Sequence, residues 1–98
     1  MASFVTLVNF TDQGIRNVKQ SPDRYEAFKA AAESVGVAVK SALWTQGAYD
    51  MVLITEGNDD AQMALSLKTA SLGNVRTQTL RGFTLGEFRK QLGSAGLG

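Results

Sequence analysis

Lys40, Trp44, Tyr49 and Asp50 lie in one short stretch near the middle of the chain, and Arg76 follows later. These are residue types from which a small-molecule site can be built. An indole stacks on a flat ligand, and a desolvated lysine serves as a base or an anion anchor. A phenol and a carboxylate side by side can frame the mouth of a cavity, and an arginine on a strand can hold an anion. Each residue also has a plain structural role open to it. Trp44 can anchor a subunit contact, with Lys40 in an ion pair at its rim. Tyr49-Asp50 can be turn chemistry, and Arg76 or Arg81 can pair with Glu56 across a strand surface.

Other chemistries are excluded by composition. The chain has no Cys and no His, so disulfides, thiolate nucleophiles, zinc-type sites and a Ser-His-Asp triad cannot form. Asp59-Asp60 looks like a metal pair but stands where a helix begins, and the helix dipole accounts for it. Gly14, Gly73 and Gly82 are isolated, so no glycine-rich phosphate loop exists. Neither a metal nor a cofactor is expected. Net charge is +1, with the basic residues scattered from Arg16 to Lys90, which argues against a nucleic-acid or membrane surface. An RNA-binding sheet would need aromatics on both central strands, and Asp50 to Glu56 has none. No apolar stretch approaches the roughly 20 residues that span a bilayer, and no signal segment is apparent. The expected location is cytoplasmic.

The 98 residues suffice for one domain, expected over residues 1–93 with a flexible Gly-rich tail at 94–98. Ser3 to Phe10 is β-branched and aromatic and reads as a strand. Thr11-Asp12 opens a short helical turn carrying Ile15 and Val18. Ser21-Pro22 starts a helix, Ser as N-cap and Pro at the first position, with Tyr25, Phe28, Ala32 and Val35 at helical spacing and Gly36 as its end. Val37 to Thr45 and Asp50 to Glu56 read as a hairpin, with a two-residue turn at Gly47-Ala48. A helix capped by Asn58 or Asp59 follows, its apolar side made of Ala64, Leu65, Leu67 and Leu72. Asn74 to Leu80 is the last strand. Thr84 and Glu87 form a capping box for a short C-terminal helix. The order β-α-β-β-α-β predicts an α+β, ferredoxin-like sandwich with both helices on one sheet face.

That sheet is apolar on both sides. With the two-residue turn, Val37, Val39, Leu43, Val52 and Ile54 share one face. Ala42, Trp44, Met51 and Leu53 share the other, with Lys40 and Thr55 further along. Two helices cover one face only, and a free face should be polar. Each large apolar side chain left in water forfeits roughly 1.5–3 kcal/mol. The expectation is that Trp44, Met51 and Leu53 form the free face and that a second copy covers it. The alternative is that the C-terminal helix folds back over it.

Several stretches carry a family resemblance. They are Thr11-Asp12-Gln13-Gly14-Ile15, Ser21-Pro22-Asp23-Arg24, Gly47-Ala48-Tyr49-Asp50 with Val52 and Ile54, Gly73-Asn74-Val75-Arg76-Thr77, and Thr79-Leu80-Arg81. In order and spacing the chain resembles the GYD domain family of small bacterial proteins. The resemblance covers Phe4 to Glu87 and implies a ferredoxin-like fold of the dimeric α/β-barrel type. It implies no catalytic residues, and Gly47, Tyr49 and Asp50 transfer only as a signature.

Two functional classes follow. One is a self-associating homo-oligomer, most simply a dimer, that binds a small ligand or a partner protein. The other is a cofactor-independent enzyme, monooxygenase- or isomerase-like by analogy of fold alone. It would act on a small organic molecule in a barrel cavity, between helices and sheet or between sheets, through Lys40, Trp44, Tyr49 and Asp50. Edge strands could also pair copies into a larger assembly.

Overall fold

The computed structural model describes residues 1–98. Strands β1 (Ala2–Phe10), β2 (Ala38–Trp44), β3 (Met51–Gly57) and β4 (Val75–Gly82) form one sheet in the order β2-β3-β1-β4. All three neighbouring pairs are antiparallel. Helices α1 (Asp12–Arg16) and α2 (Ser21–Ser34), separated by a 3-10 turn at Val18–Gln20, connect β1 to β2; α3 (Asp59–Ser71) connects β3 to β4. Helix α4 (Leu85–Ser94) follows the last strand. This is the expected α+β, ferredoxin-like order.

The caps follow their chemistry. The Thr11 hydroxyl accepts from the Gly14 amide, and the Asn58 side chain accepts from the Ala61 amide at the start of α3. Thr84 and Glu87 form the expected capping box of α4. Ser21 departs from expectation. It is the first residue of α2 rather than its cap, and its buried hydroxyl is committed to Trp44 instead.

One sheet face packs on α2 and α3. It carries Phe4, Thr6 and Val8 from β1 and Met51, Leu53 and Thr55 from β3, all buried. Val8, Met51 and Leu53 pack with Tyr25, Phe28 and Ala42; Ala32, Val37 and Leu65 form a second cluster with Val39 and Ala61. The inner side of α3 is therefore Ala61, Gln62 and Leu65, whereas Ala64, Leu67 and Leu72, expected inward, are exposed. Residues 61, 62 and 65 repeat at three and four, and this stripe faces the sheet.

The structure inverts the expected faces. Met51 and Leu53 are roofed by the chain's own helices, and Trp44 lies on that same side against Tyr25, their rings 5.7 Å apart and edge-on. The strand register agrees with expectation where Trp44 opposes Met51, but a bulge between Val39 and Ser41 takes up Lys40 as an extra residue. A bulge reverses the alternation beyond it. Val39 thus moves onto the helix side opposite Thr55, away from the face of Leu43 and Ile54.

The face left open is made of different residues. Leu43, Val52 and Leu7 lie side by side across β2, β3 and β1; Ile54, Val5 and Leu80 do so across β3, β1 and β4. Leu43 is 61% exposed, Ile54 40% and Leu80 45%. Nothing from this chain covers them. α4 has no buried residue and leaves Leu85 and Phe88 in solvent. The molecule measures 50 × 31 × 18 Å with a radius of gyration of 15.1 Å, against the ~13 Å of a compact chain of about 100 residues.

Candidate functional site

The family signature gathers at one end of the sheet, where β1 stops and β3 and β4 start. The Thr11 amide donates to the Asn74 carbonyl at 3.0 Å, and its hydroxyl donates to the Gly73 carbonyl at 2.6 Å. The Gln13 amide group reaches Leu72 O and Asn74 Oδ1 at 3.2 and 2.9 Å. Arg24 holds the same corner from α2: its guanidinium donates to the carbonyls of Asn17 and Gly14 at 2.9 and 3.2 Å. Three stretches far apart in sequence therefore close one clasp.

Gly47-Ala48-Tyr49-Asp50 completes that end. The connection is longer than a two-residue turn. Thr45 and Asp50 close it through a backbone bond of 2.9 Å, the Thr45 hydroxyl donates to the Tyr49 carbonyl at 2.6 Å, and Gly47 sits at φ +105°, a conformation that side chains oppose. Asp50 bridges to β1 twice. Its amide donates to Val8 O at 2.8 Å, and its carboxylate accepts from the Phe10 amide at 2.8 Å. The Tyr49 hydroxyl donates to Gln78 Oε1 at 3.4 Å, which carries the phenol across β1 to β4.

The five candidates do not converge. Asp50 is occupied by Phe10, and Tyr49 by Gln78. Trp44 sits on the helix side at the edge of the sheet, where its Nε1–H donates to Ser21 Oγ at 2.9 Å. Lys40 stands at the bulge and pairs with Glu56 at 3.8 Å, so Glu56 meets neither Arg76 nor Arg81. The shared inner face expected for Lys40 and Trp44 is broken by that bulge. Arg76 is exposed opposite Asn9, beside a shallow groove with Thr11, Asp12 and Gln13. Arg81 stacks on Phe83, its guanidinium 4.5 Å from the ring centroid.

A cleft of about 310 Å³ opens between α2, α3 and the sheet, one of the two places expected for a cavity, but with a different lining. Val8, Phe10, Tyr25, Phe28, Met51 and Leu53 supply its apolar wall, and Arg24, Lys68 and Asn74 also line it. Neither Lys40 nor Asp50 reaches it, and no carboxylate lines it. The signal present in the sequence was the run Gln62, Ser66 and Thr69, a polar stripe at helical spacing on the inward side of α3.

No helix is long and apolar enough to cross a membrane. The crystal structures of FFRP-DM1 and of TTHA0845 from Thermus thermophilus share the fold. The first has a TM-score of 0.58 and 21% identity over 85% of this chain and 100% of that one. The second has a TM-score of 0.55 and 21% identity over 86% and 95%. A Thermus thermophilus protein named glutamine synthetase and cystathionine beta-lyase binding protein is 31% identical over 94 residues, covering 94% of this chain and 99% of that protein. The family model of the GYD domain matches residues 4–92, and with its signature stretches locked together at one end of a ferredoxin-like sheet, the chain belongs to the GYD domain family.

Proposed function

We propose that this chain is a non-catalytic module that pairs with a second copy through the open face of its sheet and, so paired, engages other proteins. One observation carries the reading: the two adjacent apolar rows, Leu43-Val52-Leu7 and Ile54-Val5-Leu80, that no element of the chain covers. Their margin is polar, with Lys40, Glu56 and Gln78 around it. An apolar centre with a polar rim is the anatomy of a subunit interface. Two such sheets stack about 10 Å apart, and a symmetric pair buries the patch twice. Partner binding is supported by the name of the Thermus relative. The dispersal of Lys40, Trp44, Tyr49 and Asp50, each committed to a structural contact, favours binding over catalysis.

The test is light scattering on the purified chain and on Ile54→Lys. The chain should elute with the mass of a pair and the variant as a folded single copy. A wild-type chain that stays single at micromolar concentration removes the pairing. Immobilised chain should also retain purified glutamine synthetase or cystathionine beta-lyase. Retention of neither removes the partner reading and leaves the pairing standing.

A further inference from the structure

The cleft between α2, α3 and the sheet is underfilled in a particular way. Its volume of about 310 Å³ is at the lower end of small-molecule sites, about 300–1,000 Å³. Its wall is apolar, yet one side-chain amide on its floor has no acceptor in the protein. Gln62 is 6% exposed. Its Oε1 accepts from the Thr55 hydroxyl at 2.9 Å, and that bond fixes the amide plane. Its Nε2 meets no acceptor in the protein but is not sealed off, so its hydrogens open onto the cleft that Gln62 lines. Thr6, which also lines the cleft, has its hydroxyl engaged with that of Thr79 at 3.3 Å. A donor fixed at the floor of an apolar cleft is available to a ligand oxygen. The cations that line the cleft, Lys68 and Arg24, meet no carboxylate partner: the one ion pair in the molecule is Lys40–Glu56.

We infer that this cleft binds a small molecule with an apolar, ring-sized body and a carboxylate, the body against Phe28, Met51 and Leu53 and the carboxylate accepting from Gln62 Nε2. The site lies on the opposite side of the sheet from the face assigned to pairing and does not depend on it.

Phenylbutyrate fits this description and serves as the probe. The chain has one tryptophan, and Trp44 contacts Tyr25, a residue of the cleft wall. Its fluorescence therefore reads occupancy. Phenylbutyrate should give a saturable change with a dissociation constant of about a millimolar or below. Phenylbutylammonium, of like shape but with no acceptor, should bind roughly tenfold more weakly or worse. Gln62→Leu should weaken phenylbutyrate by a similar factor, and Ser66→Phe, which fills the cleft from α3, should abolish binding. Thermal melts confirm that each variant is folded; should Gln62→Leu fail to fold, the comparison of the two probes decides the role of the donor. No saturable change with the wild-type chain overturns the inference. So does equal binding of both probes, binding that survives Ser66→Phe, or intermolecular contacts showing that a second copy's chain fills the cleft.

Discussion

The carbonyl oxygen of Asn74 lies 1.9 Å from where a Cβ on Gly14 would stand. That oxygen cannot retreat, because it accepts the Thr11 amide at 3.0 Å. Gly14 is thus required for the close approach of α1 to the start of β4, and Gly14→Ala must pry the clasp open. Urea unfolding should show a loss of about 3 kcal/mol or more, opposite in sign to the gain that alanine gives over glycine in a helix. Thr11→Val, which keeps the bulk and removes both the hydroxyl bond to Gly73 and the cap on the Gly14 amide, should cost about 2 kcal/mol.

Asp50 ties β3 to β1 by its carboxylate bond to the Phe10 amide. A charged acceptor on a half-buried amide is worth about 1–2 kcal/mol. Asp50→Ala should lower stability by that amount, and Asp50→Asn, which keeps a carbonyl oxygen, by less. Amide exchange at Phe10 should quicken most in Asp50→Ala, and the fold elsewhere should be unchanged.

The indole of Trp44 fastens the edge strand β2 to the first turn of α2 through Ser21. Trp44→Phe and Ser21→Ala should each cost about 1 kcal/mol. A double-mutant cycle by thermal or urea unfolding should return a coupling energy of roughly 0.5–1 kcal/mol. Additive losses would place the two side chains out of contact.

Glu87 closes the first turn of α4 on itself. Its carboxylate accepts from the Thr84 amide, and that bond, with smaller help from the Thr84 hydroxyl and the nearby Arg81 charge, holds its pKa below the ordinary 4.5. A depressed acid stabilises the fold fully above its unfolded value, and this contribution is lost as pH falls through the folded value. The first turn of α4 should therefore be intact at neutral pH and fray progressively below about pH 4.5. Amide exchange at Glu87 and Phe88 should report this locally, and Glu87→Gln should flatten the dependence.

Much of this architecture was legible because local chemistry punctuates the chain. Ser21-Pro22, Asn58 and the Thr84–Glu87 box mark helix starts, and the β-branched runs between them leave little choice of order. The side of the sheet that the helices cover was not legible. β3 alternates Met51, Leu53 and Thr55 with Val52, Ile54 and Glu56, and both sets are apolar near the hairpin. The bulge at Lys40 has no residue signature of its own, yet it moved Val39 across the sheet and Lys40 away from Trp44. The clasp was visible only as separate short motifs, since Gly14 and Asn74 meet through backbone atoms and neither side chain reveals it. The donor on the cleft floor depended on the amide orientation of Gln62, which is set by a contact with Thr55 that no spacing rule anticipates.

The proposed pairing sets the sheet face bearing Leu43, Val52, Ile54 and Leu80 against the same face of another copy. Isotope-filtered nuclear Overhauser spectra on an equal mixture of labelled and unlabelled chain test it most directly, because they detect only contacts between copies. Pairing through this face should give methyl contacts between copies among Leu7, Leu43, Val52 and Ile54, and none from Met51 or Leu53. Contacts between copies that are absent from this face, or methyl contacts there that run to the chain's own α4, would contradict it.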